Sequence, residues 1–198
     1  MRASARGWVG FCALLGLAAL LGPGMVPERL DWQPRLALAE PWRMLTAVAV
    51  HYSSLHLAAN LAGLALVAAL GVAAQAPRRT TWAWIAAWPL VQLGLLARPD
   101  LVHYGGLSGV LHAGVAVIAV HLFAAHGGMR RTLGLLLLAG LCAKVATEAP
   151  WGPPLRHPAG WDIATAPFAH ATGLVAGIAC ALVAHAVSRR RRGSRDAA

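Results

Sequence analysis

The chain has 198 residues, of which 58% are hydrophobic and only 12% charged, with a formal net charge of +10. That apolar share excludes an ordinary soluble domain of this size. It points instead to a membrane protein, since a hydrocarbon core of about 30 Å takes about 20 apolar residues per helix. Nucleic-acid binding is not implied, because the basic residues alternate between loops instead of gathering in one patch.

Six spans are predicted, at about residues 8–25, 54–75, 81–97, 107–125, 132–148 and 167–187. The first follows a basic start at Arg2 and Arg6, as a signal peptide would, and Ala37-x-Ala39 offers a cleavage site. Glu28, Arg29, Asp31 and Arg35 separate that site from the apolar run, so a retained helix is expected. The third span contains Pro89 and Gln92, which membrane helices tolerate when neighbours satisfy the freed polar groups. The fifth is short and contains Lys144.

Charge sets the expected topology. Arg2, Arg6, Arg78, Arg79, Arg130, Arg131, Arg189 to Arg192 and Arg195 all fall at one set of span ends. The opposite loops hold Arg29, Arg35, Arg43, Arg98 and Arg156, offset by Glu28, Asp31, Glu40, Asp100 and Asp162. The positive-inside rule then puts both termini in the cytoplasm, as an even number of spans requires. Residues 188–198 read as a basic cytoplasmic tail against anionic lipid, not as a nucleic-acid arm. Trp8, Trp82, Trp151 and Trp161 fall near span ends, where an aromatic belt is expected. Cys12, Cys142 and Cys180 lie inside spans with no metal spacing and read as packing residues. One membrane domain over 1–198 is expected, with two long outer loops at about 26–53 and 149–166.

Polar groups inside spans are costly, and four clusters need a reason. In "HYSSLHLAAN", His56 and Asn60 are four residues apart and share a helical face, while His51 is expected to point elsewhere at the helix start. Taken alone, this cluster reads better as interhelical hydrogen bonding than as chemistry. In "YGGLSGVLHAG", Ser108 opens a span beside Gly105, Gly106 and Gly109, and is either a helix cap or a nucleophile. It is not the G-x-S-x-G elbow of soluble hydrolases, because glycine follows the serine directly. In "AHATGLVAG", His170, Gly173 and Gly177 share one face, so His170 lies on the face suited to close helix approach. The fourth cluster, Lys144 and Glu148, reads as a structural ion pair, with a Ser108–Lys144 dyad as a rival.

Ser108, His170, His56 and Asn60 all fall toward the outer side of the predicted bundle. A serine and a histidine there can act as nucleophile and base, with His56, Asn60 and the Ser108 N–H around a developing oxyanion. No carboxylate is evidently placed to orient His170, so a dyad is expected.

In these motifs the chain resembles the rhomboid family of intramembrane serine proteases. "PWRMLTAVAVHYSSLHLAANLAGL", with Trp42-Arg43 and the His51, His56, Asn60 pattern, looks like that family's first outer loop and second helix. "GLSG" looks like its nucleophile motif and "AHATG" its base motif. The resemblance implies an all-α, six-helix rhomboid-like bundle in a bacterial inner membrane, with the site toward the periplasm. It implies Ser108 as nucleophile, His170 as base, and His56 with Asn60 at the oxyanion. His51, Gly106, Gly109, Gly173, Trp42 and Arg43 would support them, with no metal or cofactor.

The bare core, His112 and "KVATE" at Lys144–Glu148 are closer to the rhombosortase branch. That branch implies membrane-anchored protein substrates with a C-terminal Gly-Gly tail, a membrane helix and basic residues. His112 shares the face of Ser108 and either supports His170 or merely packs.

Rival readings are a general rhomboid protease with other single-span substrates, a non-catalytic relative, a metal transporter and a membrane acyltransferase. His103, His112, His121, His126, His157 and His185 scatter in depth, and no H-x₃-H pattern lines a path.

Overall fold

The computed structural model describes residues 5–125 and 127–196, without the side chains of Ala125 and of residues 191–196. Arg2 and His126 lie outside the described residues, as do the side chains of Arg191, Arg192 and Arg195. Six long helices stand where six spans are predicted. They are α1 (Arg6–Leu21), α2 (Ser54–Ala73), α3 (Arg78–Gly94), α4 (Ser108–Ala125), α5 (Gly128–Thr147) and α6 (Pro167–Asp196). Arg6–Gly24, Ser54–Ala73 and Pro167–Arg190 are long and apolar enough to cross a membrane. The apolar run of α4, Ser108–Ala124, is shorter. Arginines at the start of α3 and α5, and Lys144 late in α5, make those helices less apolar.

The helix α4 is buried on nearly every side from Gly109 to Leu122, whereas α1 and α2 each bury one stripe. In α1 it is Trp8, Phe11, Cys12, Leu15 and Ala19, the three-to-four spacing of a single helical face. In α2 it is His56, Asn60, Leu64, Val67 and Gly71, so the polar pair continues the apolar stripe inward. Ser53 caps α2 by accepting a hydrogen bond from the His56 N–H, 3.0 Å away. Pro167 occupies the first position of α6, where its missing N–H removes no intrahelical bond.

The core forms where α1, α2, α3 and α4 meet. Trp8 is fully buried, its ring 4.3 Å from that of Trp84. Its Nε1 donates to the Val67 carbonyl at 2.9 Å, and Trp84 Nε1 donates to the Val110 carbonyl at 2.8 Å. This corrects the expectation that Trp8 sits in an interfacial belt. The notch that admits its ring is Gly71, where a Cβ would collide with the indole. Trp82, Trp151 and Trp161 are exposed, as belt residues would be. The cysteines are unpaired, but only Cys12 is buried and Cys142 faces outward, so packing does not account for all three.

The segment before α2 is folded rather than loose. Short helices at Pro27–Leu30 and Arg43–Thr46 carry it across the end of the bundle. Trp32 and Tyr104 form an isolated antiparallel bridge, with N···O distances of 2.7 and 2.9 Å. Its hub is Arg43, which donates to the carbonyls of Glu28 and Asp31 and pairs with Glu40 and Asp31. Of the charges balanced in this loop, Arg43, Asp31 and Glu40 thus meet in ion pairs, while Arg35 bonds Gln33 instead.

Candidate active site

Two helices bring the central pair together, and glycine makes their approach possible. A Cβ on Gly173 of α6 would run into the Gly109 carbonyl of α4. A Cβ on Gly177 would lie 2.5 Å from the Ala113 carbonyl. From the α4 side, a Cβ on Gly109 would lie 2.9 Å from the Ala169 carbonyl. The expected glycine face of α6 thus packs on α4, the helix that Ser108 begins.

Ser108 is the first residue of its helix, not the cap before it. Its hydroxyl lies 3.0 Å from His170 Nε2. Gly106 precedes it at φ +118, a conformation that L side chains rarely adopt, and its N–H bonds the Ala47 carbonyl at 2.9 Å. The Gly109 N–H donates to the Tyr104 hydroxyl at 3.3 Å.

His56 and Asn60 converge on the turn in front of Ser108. A Cβ added to Gly106 would meet His56 Nε2 at 2.6 Å and Asn60 Nδ2 at 3.4 Å. Asn60 Nδ2 is a buried donor with no hydrogen-bond partner among the described residues. His51 does not point away as expected: its ring centroid is 4.8 Å from that of His56. Burial lowers the His51 pKa, partly opposed by the Ala49 carbonyl. Trp42 is exposed at the outer edge, whereas its neighbour Arg43 is buried.

The largest departure from the sequence reading is on the far side of His170. Its Nδ1 lies 2.6 Å from Glu148 Oε2. The expectation that no carboxylate reaches this histidine is therefore overturned. The ion pair expected between Lys144 and Glu148 does form, through the other carboxylate oxygen, Oε1. A carboxylate has two oxygens, and one residue serves both neighbours. Lys144 contacts Glu148, while the Ser108 hydroxyl contacts His170, which leaves the Ser–Lys rival without support.

His112 lies on the face of His170. The rings are stacked at 4.1 Å with planes 10° apart, and His112 Nδ1 is 2.7 Å from the Ser108 carbonyl. His112, Glu148 and His170 each offer a ligand atom within 4.8 Å of the others. Stacked imidazoles hold their in-plane lone pairs in two separate, nearly parallel planes, a poor arrangement for two ligands of one ion. These groups line a cavity of about 1080 Å³ that also touches Tyr52, Arg156 and Trp161. An alcohol against an imidazole, beside unpartnered amide N–H donors, is equipped for acyl transfer.

No curated protein matches the chain. A family model described as the Rhomboid domain matches residues 38–187, the stretch that holds every group just described. Since that match spans well over half of the 198 residues, the chain belongs to the rhomboid family, multi-pass membrane proteins that are generally intramembrane serine peptidases.

Proposed function

We propose that the protein is an intramembrane serine endopeptidase with Ser108 as nucleophile and His170 as general base. The observation that carries this reading is the 3.0 Å contact between Ser108 Oγ and His170 Nε2. His170 accepts the Ser108 proton as Oγ bonds to the scissile carbonyl carbon. The carbonyl π electrons move onto oxygen, where His56 Nε2, Asn60 Nδ2 and the Ser108 N–H receive the charge. Each such donor contributes about 3 kcal/mol in a well-formed site. Ser108 opens its helix, and the first N–H groups of a helix lack intrahelical partners. The imidazolium then hands its proton to the leaving amine as the C–N bond breaks. Water, deprotonated by the same imidazole, releases the acyl group.

All six long helices span the bilayer in this reading, with both termini cytoplasmic and the site on the periplasmic side of a bacterial inner membrane. The support is the alternation of basic residues and the depth shared by His56, Ser108 and His170. The substrates are membrane-anchored proteins cleaved near a C-terminal Gly-Gly tail. This narrower statement rests on the likeness of "YGGLSGVLHAG" and "KVATE" to rhombosortases. Glycine in the tail favours the unwinding that exposes a carbonyl to Ser108.

The test uses the full-length enzyme in liposomes with a Gly-Gly-tailed client, read by mass spectrometry of the client's new C-terminus. Wild type should release the tail and react at Ser108 with a fluorophosphonate probe. Ser108→Ala should stay folded and do neither. Cleavage that persists in Ser108→Ala ends the serine assignment; cleavage of unrelated single-span substrates alone ends the sorting-tail assignment.

A further inference from the structure

The Ser108 hydroxyl, the two nitrogens of His170, the two oxygens of Glu148 and the Lys144 ammonium form one continuous line of contacts. We propose that Glu148 is a positioning residue for His170, making the centre a Ser–His–Glu triad instead of a bare dyad. The inference rests on the serine-peptidase reading above and adds to it the group that sets the base.

A carboxylate paired with an ammonium keeps its charge, and an ionised carboxylate can only accept hydrogen bonds. Oε2 at 2.6 Å therefore requires a proton on His170 Nδ1. In the neutral ring the lone pair is then left on Nε2, the atom that faces the Ser108 hydroxyl. An imidazole with no such partner divides between two tautomers, and the one protonated on Nε2 cannot accept the serine proton. The ring is also fixed in its plane, because His112 covers one face at 4.1 Å while its own Nδ1 is held by the Ser108 carbonyl. Glu148 thus grips the edge of the ring and His112 its face.

During attack, the serine proton passes to Nε2, giving an imidazolium with Glu148 against Nδ1–H. Glu148 takes no proton; it stabilises the imidazolium by charge and returns unchanged when the ring protonates the leaving amine. Its side chain is 29% exposed and that of Lys144 50%. Water shares the carboxylate, so the effect is smaller than the roughly 10⁴-fold loss seen when a fully buried triad carboxylate is replaced.

Full-length wild type, Glu148→Gln and Glu148→Asp are compared in liposomes. For Glu148→Gln we expect kcat to fall by about 10- to 100-fold with KM within about twofold, the split of a group that acts in the transition state. Glu148→Asp should recover part of the loss, since a carboxylate remains. Nitrogen NMR of histidine-labelled protein should show His170 as the Nδ1–H tautomer in wild type and as a mixture in Glu148→Gln. Wild-type kcat in a folded Glu148→Gln, or an Nε2–H tautomer in wild type, would overturn the proposal. So would inactivation by a chelator that a divalent cation reverses. If Glu148→Gln fails to fold, the wild-type spectrum and Glu148→Asp still decide. A wild type that neither cleaves nor reacts with a serine probe defeats the peptidase reading alone, because the tautomer is read without turnover.

Discussion

The two flanks of the cavity are held very differently. On one flank, residues 26–53 are locked: Asp31, Trp32 and Arg43 are 1%, 0% and 6% exposed. Asp31 alone receives contacts from Gln33, Arg43, Tyr52 and His103. On the other flank, α5 buries only Gly134, Leu141 and Val145, and residues 149–166 leave Trp151 and Trp161 exposed. That loop is held by one isolated bridge, Arg156 to Thr165, by Arg156 donating to the Glu148 carbonyl at 2.7 Å, and by Arg98 reaching the carbonyls of Pro150 and Gly152. Among the described residues a hydrogen bond from Ser53 to Asp162, at 2.7 Å, ties the flanks across the opening. The difference separates a wall that fixes the nucleophile from a wall free to yield to a substrate, under the proposed function.

That contrast is broken most severely at the seam between α4 and α6. Gly173→Leu forces a side chain into the Gly109 carbonyl and pushes Ser108 from His170. A shift of 1 Å at reacting groups can cost about 100-fold in rate, so cleavage should fall at least that far. Overpacking should also remove about 3 kcal/mol of stability, read as thermal unfolding in detergent. Next comes the locked flank. Asp31→Ala strips a buried hub from four side chains and should cost about 3 kcal/mol, because breaking one side of a buried ion pair leaves the other uncompensated. A loss below about 1 kcal/mol would show that this flank is not the rigid one.

The smallest effect belongs to the yielding flank. Asp100 is half exposed, and its hydrogen bond from Arg98 holds its carboxyl below the usual range. Such a group stabilises the fold above its unfolded-state pKa, and the stabilisation disappears as pH falls through the lowered folded-state value. Asp100→Asn should therefore lower the unfolding midpoint slightly at neutral pH and not at all in acid. The Arg98 contacts to Pro150 and Gly152 remain in this variant, so kcat should hardly change. A large loss of kcat would mean that the second flank is as firmly set as the first.

Much of this is legible in the sequence. Helical spacing put His56 with Asn60 and His170 with Gly173 and Gly177, because residues three, four or seven apart must share a face. The six long helices followed from apolar run lengths. Glu148 was missed for a different reason. Its i,i+4 partner Lys144 gave a complete local explanation, and local pairing says nothing about a second oxygen. Depth could have exposed it: α5 ends, and α6 begins, on the same side of the bundle as Ser108. Trp8 was misread because an aromatic near a helix end looks interfacial until its notch is known. That notch, Gly71, lies far away in sequence and carries no mark of its own. The locked loop was half visible, its charges counted but not paired.

Ser108 and His170 are separated by 62 positions in the chain, and the helix that carries the histidine is the last of the six to leave a ribosome. Until α6 docks, the hydroxyl lacks the imidazole that faces it. Under the proposed function, hydrolytic competence therefore comes only with completed assembly, a delay built into the order of the helices.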